Sequence, residues 1–204
     1  MRAVFVDRDG VINENRTDHV KSWNEFHFIP GALEALCLLH QAGFQVFVVT
    51  NQAMIGRGIV AEQVLHDIHA QLCRTVTDQG GHIHDIRYCP HTPESNCSCR
   101  KPQPGMLSHL AAQWNVDMEH AYMIGDAWTD IAAGHAVSCR SILVTTGRGP
   151  EQFALPELQQ HCPDYIAQDL LHAADWIVDQ EYTPYLQTIP RKERIVNQKV
   201  TLPT

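Results

Sequence analysis

Aspartates follow two apolar runs of this chain. Asp7 and Asp9 come directly after the first run, Ala3–Val6, and Asp126 and Asp130 follow a later one. If both runs are strands of one parallel sheet, four carboxylates meet at one edge, which is unfavourable unless a cation joins them. Mg²⁺ prefers oxygen ligands and keeps waters or phosphate oxygens as well, so the pattern predicts a magnesium site. The alternative is that Asp9 belongs to a simple turn and the other aspartates cap helices.

A second group of residues has the composition of a metal site. Cys89, His91, Cys97 and Cys99 place three thiols and one imidazole within eleven residues. This is enough for a closed tetrahedral zinc site, in which no position is left for a substrate. The one-residue spacings are tighter than the usual two-residue spacing, and a loop of free thiols is the alternative. The spacing therefore favours a structural zinc and leaves both interpretations open.

Apolar patterning predicts the elements that must position these residues. Buried strands are expected at Ala3–Val6, Phe44–Val49, Ile83–Tyr88, Ala121–Gly125, Ser141–Thr145 and Tyr165–Ala167. Helices are expected between Gly31 and Gly43, and at Ala61–Gln79, Gly105–Trp114, Ile131–Ala136 and Leu170–Val178. Strands that alternate with helices predict an α/β fold, with a Rossmann-like parallel sheet sandwiched by helices. In such a fold the functional residues cluster beyond the carboxyl ends of the strands.

Length and charge limit the class of protein and its partners. The 204 residues carry a formal net charge of −8, which argues against binding nucleic acid or an anionic membrane. No apolar run approaches the roughly twenty residues of a membrane span. We expect a cytoplasmic monomer that acts on a small molecule, and we read the seven cysteines as thiols or metal ligands. We expect one domain over residues 1–180, with a zinc loop at 89–104, and a C-terminal arm over 181–204.

Four short motifs, each in the matching place, resemble those of haloacid dehalogenase-superfamily phosphatases. They are Asp7-x-Asp9-Gly10-Val11, Thr50-Asn51-Gln52, Arg100-Lys101-Pro102 and Gly125-Asp126-x3-Asp130. The resemblance spans about residues 3–146. The cysteine loop and the segment that follows it, to Met106, are similar to a subfamily that contains heptose-bisphosphate 7-phosphatases and histidinol-phosphate phosphatases. The resemblance implies a haloacid dehalogenase-like fold with little or no cap, and Mg²⁺-dependent hydrolysis of a phosphate monoester.

The resemblance also implies a role for each catalytic residue. Asp7 would attack phosphorus to give an aspartyl-phosphate, which divides one difficult displacement into two easier steps. Asp9 would protonate the leaving alkoxide and then act as a base on the hydrolytic water. Mg²⁺ would be held by Asp7, by the backbone carbonyl of Asp9 and by Asp126. Asp130 would orient Lys101 or the metal-bound waters.

Other residues are implied to bind the substrate. Thr50 and Asn51 would donate hydrogen bonds to the phosphate, and Lys101 would balance the charge that develops on it. Arg57 matches an arginine that the subfamily uses near its substrate, and a loop arginine beside a helix is the alternative. Arg100 would face the phosphate with Lys101, and solvated loop charges are the alternative for both. A zinc ion bound by the cysteine loop would fix the segment that presents Arg100 and Lys101 to the phosphate. Its ligands would be Cys89, His91, Cys97 and Cys99.

The substrate itself is less closely specified by the sequence. The first expectation is the 7-phosphate of D-glycero-D-manno-heptose 1,7-bisphosphate, and histidinol phosphate or another sugar phosphate is the alternative. Ala127 stands where many family members have a basic residue, which predicts weaker recognition of a second phosphate. A non-catalytic zinc-bearing interaction module is the alternative of another class. A P-loop kinase is not indicated, because the chain has no Gly-x4-Gly-Lys-Ser/Thr motif.

Overall fold

A single parallel sheet forms the centre of the protein. The computed structural model describes residues 1–188, with side chains as far as Glu181. The strands are β1 (Ala3–Val6), β2 (Gln45–Asn51), β3 (Ile83–Cys89), β4 (Ala121–Gly125), β5 (Arg140–Val144) and β6 (Tyr165–Ala167). They lie in the order β3-β2-β1-β4-β5-β6, and every pairing is parallel. The predicted α/β class and all six predicted strands are confirmed.

Helices cover both faces of this sheet. They are α1 (Ala32–Gln41), α2 (Ala53–Gly56), α3 (Glu62–Asp78), α4 (Gly105–Trp114), α5 (Trp128–His135), α6 (Gly149–Gln152), α7 (Pro156–Gln160) and α8 (Leu170–Thr188). The short helices α2, α6 and α7 were not predicted. Among residues 1–188, no helix has the length and apolar character needed to cross a bilayer.

The boundary expected after residue 180 falls inside a helix. The prediction ended the last helix at Val178, whereas α8 continues to Thr188. The helix continues through Tyr182 and Thr183, and Pro184 does not end it. The remainder of the predicted arm, residues 189–204, lies outside the described residues, and the division into a domain and an arm stays a prediction.

Strand β1 is the point at which the order of the sheet reverses. It pairs with β2 on one side and with β4 on the other, and Val6 lies opposite both Val48 and Ile124. The backbone N–H of Asp7 still donates to the Ile124 carbonyl, at 2.9 Å. Crevices at such reversal points are where α/β proteins bind ligands. The residues that follow β1, β2 and β4 therefore meet at one end of the sheet.

The core explains why the strands are apolar on both sides. Val4 and Val6 of β1 pack into a cluster with α1, α3 and α8, whereas Ala3 and Phe5 pack on the opposite face with α4 and α5. All four side chains are fully buried. A parallel strand covered by helices on both faces reads as a continuous apolar run, as β1 does.

The connection from β1 to α1 forms a short flap over residues 10–31. It is held by the isolated bridges Asp9–Asn13 and Asn13–Phe28 and by three packed aromatic rings. The ring centroids of Trp23 and Phe26 are 4.8 Å apart, and those of Phe26 and Phe28 are 5.1 Å apart. The connection from β2 to α3 contains only α2. The described chain therefore has a minimal cap, as expected.

Replacement of Leu36 by Ala tests the packing of α1. Leu36 is fully buried in the larger core cluster. We expect Leu36→Ala to lower the free energy of unfolding by about 2–5 kcal/mol, because it removes buried methyl groups and leaves a cavity. Gln41→Ala, at an exposed position of the same helix, should change it by less than about 0.5 kcal/mol. Urea unfolding followed by circular dichroism measures both; equal effects would contradict this packing.

Candidate active site

A buried lysine lies between two buried carboxylates at the end of the sheet. The Nζ atom of Lys101 is 3.0 Å from Oδ1 of Asp7 and 2.6 Å from Oδ1 of Asp130. It also donates a hydrogen bond to the Val49 carbonyl, at 2.6 Å. Burial alone would lower the pKa of Lys101, but Asp130 and Asp7 raise it above its usual value. The lysine is therefore charged, and it supplies the positive charge that these two aspartates require.

One lysine does not balance all the carboxylates at this place. Oxygens of Asp7, Asp126 and Asp130 lie within 4.8 Å of one another. Burial raises the pKa of Asp7 to about 6, against the opposing effect of Lys101. Burial and the charge of Asp7 also raise the pKa of Asp126. This excess of buried negative charge on oxygen donors fits a hard divalent cation such as Mg²⁺.

Asp130 has two structural tasks. Its Oδ1 contacts the ammonium of Lys101, and its Oδ2 accepts a hydrogen bond from the N–H of Ala127, at 3.1 Å, at the start of α5. Helix capping was the alternative to a metal site for this aspartate, and orientation of Lys101 was a separate expectation; the side chain both contacts Lys101 and caps the helix. Gly125 makes the arrangement possible, because a Cβ at residue 125 would collide with Asp130.

Asp9 has surroundings of the opposite kind. Both of its oxygens lie 2.8 Å from Nη2 of the fully buried Arg8, and Asn13 and Gln52 donate to it at 2.9 and 2.7 Å. Burial alone would raise the pKa of Asp9, but these donors lower it. Arg8 also contacts Nε2 of His69, at 3.2 Å. Burial and the Arg8 charge lower the pKa of His69 to about 3, so this imidazole is neutral.

Two residues expected to bind phosphate have different partners. Thr50 accepts a hydrogen bond from Nε2 of Gln52, at 2.8 Å, which leaves its hydroxyl hydrogen to be donated. Asn51 instead pairs with the backbone of Lys101: Nδ2 donates to the carbonyl and Oδ1 accepts from the N–H, each at 3.1 Å. Asn51 therefore positions Lys101, and only its second Nδ2 hydrogen is left for a phosphate.

A cavity of about 670 Å³ opens at this end of the sheet. Of the residues predicted for catalysis, magnesium and substrate, all except Asp126 line it: Asp7, Asp9, Thr50, Asn51, Arg57, Arg100, Lys101 and Asp130. Arg16 of the flap and Arg148 line it too. The volume is that of a small-molecule site, and the arginines suit an anionic ligand.

Asp126 is enclosed by the loop that follows β5. Arg148 donates to it from its backbone N–H, at 2.8 Å, and from Nη2, at 3.1 Å. Gly10 and Gly147 have φ values of 90° and 55°, and a Cβ on either would collide with Oδ2 of Asp126. Neither Gly147 nor Arg148 was selected from the sequence. Their only signal was the Gly-Arg-Gly turn after a predicted strand, which is common in loops.

Arg8, His69 and Gln52 were likewise given no role by the sequence analysis. Arg8 and Gln52 stand inside quoted motifs, but as the variable position of one and the last residue of another. His69 lies on α3, about sixty residues from Arg8 in sequence. A histidine in a helical pattern gives no indication of its partner, because the contact is made between distant elements.

The predicted zinc ligands come together at the end of β3. The sulfur of Cys99 is 3.2 Å from that of Cys89 and 3.4 Å from that of Cys97, and 3.2 Å from Nδ1 of His91. Cys89 is buried and its sulfur is 3.5 Å from that of Cys97. Ligand atoms of a tetrahedral zinc lie about 3.8 Å apart when the zinc–sulfur bonds are about 2.3 Å. The four donors are thus of the right kind and nearly at that separation.

The cysteine cluster is attached to the loop that carries Lys101. Arg100 donates from Nη1 to the carbonyl of His91, at 3.2 Å. The N–H of Gly105 donates to the Ser98 carbonyl, at 3.0 Å, and a Cβ at residue 105 would collide with that carbonyl. The segment 98–105 is therefore closed on itself directly beside the cluster.

Comparison with known proteins gives relatives of one kind. A family model described as HAD-hydrolase-like matches residues 98–173. The chain is 42% identical over 153 residues to the D-glycero-beta-D-manno-heptose-1,7-bisphosphate 7-phosphatase of Pseudomonas aeruginosa, covering 75% of this chain and 86% of the relative. It is 38% identical over 186 residues to the protein of the same name from Neisseria meningitidis, covering 90% and 98%.

Solved structures agree with the sequence relatives. The D,D-heptose 1,7-bisphosphate phosphatase of Bordetella bronchiseptica, in complex with magnesium and phosphate, superposes with a TM-score of 0.82 at 34% identity. The match covers 88% of this chain and 99% of that one. The corresponding Burkholderia thailandensis structure gives a TM-score of 0.65 at 30% identity and covers 87% and 99%. The similarity thus extends over nearly the whole length of these proteins.

The contrast between Asp7 and Asp9 predicts stability changes of opposite sign. In the folded protein the pKa of Asp7 is raised from 3.8 to about 6. Between those values the native state binds more protons, so this group lowers stability as the pH rises, and its full cost is present above pH 6. Asp7→Asn should therefore raise the free energy of unfolding at pH 8 by about 1–3 kcal/mol, and this gain should shrink towards pH 5.

Asp9→Asn is the matched variant. The lowered pKa of Asp9 means that its charge stabilises the fold above the ordinary carboxyl pKa and that this contribution is lost as the pH falls. At pH 8 the variant should lose about 3 kcal/mol or more, because it leaves the buried Arg8 without its charge partner. Urea unfolding in Mg²⁺-free buffer measures both variants, and changes of the same sign would refute the contrast.

Proposed function

The chain belongs to the D-glycero-beta-D-manno-heptose-1,7-bisphosphate 7-phosphatase family of haloacid dehalogenase-like phosphatases, and from this premise we propose how it acts. It hydrolyses the 7-phosphate of that heptose bisphosphate with Mg²⁺ as cofactor, through an aspartyl-phosphate on Asp7. The observation that carries this proposal is the buried Asp7–Lys101–Asp130 arrangement at the floor of an arginine-lined cavity. A module that only binds a partner has no use for this costly group of charges.

Asp7 is the nucleophile. Its Oδ1 is engaged by Lys101 and by the N–H of Arg8, at 2.7 Å. Among the described residues, Oδ2 accepts no hydrogen bond and is the oxygen left for attack. It forms the new bond to phosphorus as the bond between phosphorus and the sugar oxygen breaks. Mg²⁺, held by Asp7, Asp126 and the Asp9 carbonyl, neutralises charge on the phosphoryl oxygens.

Asp9 moves the protons. In the first step it gives a proton to the sugar oxygen that leaves, and in the second it takes one from the water that cleaves the aspartyl-phosphate. Its contacts with Arg8, Asn13 and Gln52 keep it ionised, which is the form required for the second step. For the first step it must gain a proton once the substrate's phosphate is bound close by, because that negative charge raises its pKa.

Lys101 and Thr50 stabilise the transferred phosphoryl group. Both are almost fully buried and line the cavity. The charge of Lys101 and the free hydroxyl hydrogen of Thr50 are fixed in place before the substrate arrives, so little reorganisation is needed as charge develops. Asn51 and Asp130 position Lys101 by holding its backbone and its ammonium, and the second Nδ2 hydrogen of Asn51 is left to be donated to the phosphate.

The arginines that line the cavity favour a bisphosphate over histidinol phosphate as the substrate. Arg16, Arg57 and Arg100 line the cavity, and Glu151 is an acidic residue in the same lining. These guanidinium groups would bind a second phosphate, whereas they would repel the ammonium group of histidinol. Ala127 supplies no cation, but Arg148, which contacts Asp126, places one in the lining of the cavity.

Phosphate release with Mg²⁺ tests the activity and its mechanism. We expect a kcat/KM for the heptose bisphosphate that is at least about tenfold higher than for histidinol phosphate. Asp7→Asn should lower kcat by about a thousandfold or more, because the covalent step is lost. Asp67→Asn, at an exposed position of α3, is the control and should retain wild-type rates. Turnover of no phosphorylated metabolite would favour the interaction-module alternative instead.

We also propose that Cys89, His91, Cys97 and Cys99 hold one structural zinc. Its use is to fix the loop that presents Arg100 and Lys101, since Arg100 bonds the backbone of His91. The donor set and the near-tetrahedral separations support this assignment over a loop of free thiols. A cytoplasmic location and a monomeric state stay predictions.

Metal analysis and kinetics test the zinc proposal together. The purified protein should contain one zinc per chain, and Cys97→Ser should lose it, whereas Cys162→Ser, an exposed thiol far from the cluster in sequence, should keep it. Loss of zinc should raise KM and lower kcat by about tenfold or more, because the Lys101 loop is released. If zinc-free protein kept its fold and its kinetic constants, the proposed use of zinc would be wrong.

A further inference from the structure

Arg148 covers the carboxylate of Asp126. Asp126 is fully buried, whereas the side chain of Arg148 is 48% exposed. Nη2 lies 3.1 Å from Oδ1, and Nε lies 3.4 Å from Oδ2. Among the described residues, Arg148 lines the cavity and Asp126 does not. A cation that enters from the cavity therefore meets the guanidinium before it meets the carboxylate.

The backbone of the same loop is attached independently of the guanidinium. The N–H of Arg148 donates to Oδ2 of Asp126, at 2.8 Å. Thr146 donates from Oγ1 to the carbonyl of Gly10, at 2.6 Å, and Gly147 packs against Gly10 and Asp126. These contacts hold residues 146–148 beside Asp126 without the side chain of Arg148. The guanidinium can therefore leave the carboxylate while the loop stays in place.

The guanidinium and a divalent cation need the same negative charge. Asp126 and Asp7 lie together in a buried place, where two carboxylates require a countercharge. The guanidinium of Arg148 is half exposed and can exchange its hydrogen bonds with water, whereas Mg²⁺ brings two charges to both carboxylates.

We propose that Arg148 competes with Mg²⁺ for Asp126 and becomes a substrate-binding group only when the ion has displaced it. This inference rests on the proposed function, because it concerns the Mg²⁺ site of that reaction. In the metal-free protein the guanidinium neutralises Asp126. After displacement it remains on the wall of the cavity that receives the phosphate, where a planar guanidinium can bind two phosphate oxygens.

Binding measurements on Arg148→Gln test the competition without turnover. Titration calorimetry should give a Mg²⁺ affinity roughly five- to tenfold higher than wild type, because the competing charge is removed. Inorganic phosphate, titrated in saturating Mg²⁺, should bind roughly tenfold more weakly. A loss of structure alone would weaken both affinities, so opposite signs identify the exchange. Arg148→Lys keeps the charge without the bidentate fork and should give intermediate values.

A matched variant distinguishes direct competition for Asp126 from the long-range effect of removing one positive charge. Arg57→Gln removes one positive charge from the same cavity but has no contact with Asp126, and it should change Mg²⁺ affinity by less than about twofold. Equal Mg²⁺ affinity in wild type and Arg148→Gln, or equal gains in both glutamine variants, would overturn the proposal while leaving the proposed function intact. Absence of Mg²⁺ binding by every variant and by wild type would overturn both.

Discussion

The ion pair between Lys101 and its two aspartates is the contact on which the rest of the site depends. Parallel strands bring Asp7, Asp126 and Asp130 to one end of the sheet, and burial there raises the pKa of each. A single ammonium can offset only part of that charge. The site is consequently held in a state that disfavours folding and favours a cation, which is the arrangement that phosphoryl transfer requires.

The positive charges come from loops, and backbone contacts hold those loops in place. Lys101 lies in the segment closed beside the cysteine cluster, and its backbone is paired with Asn51. Arg148 lies in the turn after β5, and a Cβ at Gly147 of this turn or at Gly10 after β1 would collide with Asp126. The side chains that must approach buried carboxylates are thus carried by loops whose backbones are fixed by hydrogen bonds.

Two aspartates separated by one residue are given opposite properties by their surroundings. Burial and the neighbouring carboxylates raise the pKa of Asp7, whereas Arg8, Asn13 and Gln52 outweigh burial at Asp9 and lower its pKa. In the proposed mechanism this contrast separates a nucleophile that shares a metal site from a group that exchanges protons. The fully buried guanidinium of Arg8 requires the negative charge of Asp9, so loss of that charge would destabilise the fold.

The sequence by itself determined the parallel α/β fold, the motif residues and the donor residues of the two proposed metal sites. Continuous apolar runs such as Ala3–Val6, when they alternate with helical patterns, predict buried strands of a parallel sheet. The carboxyl ends of such strands lie at one edge of the sheet, so the residues that follow them meet there. Only the tertiary structure decided which charges pair. Arg148 meets Asp126 and His69 meets Arg8 across separations of 22 and 61 residues. No local pattern encodes such contacts, because they arise from the packing of distant elements and the approach of glycine-bearing turns.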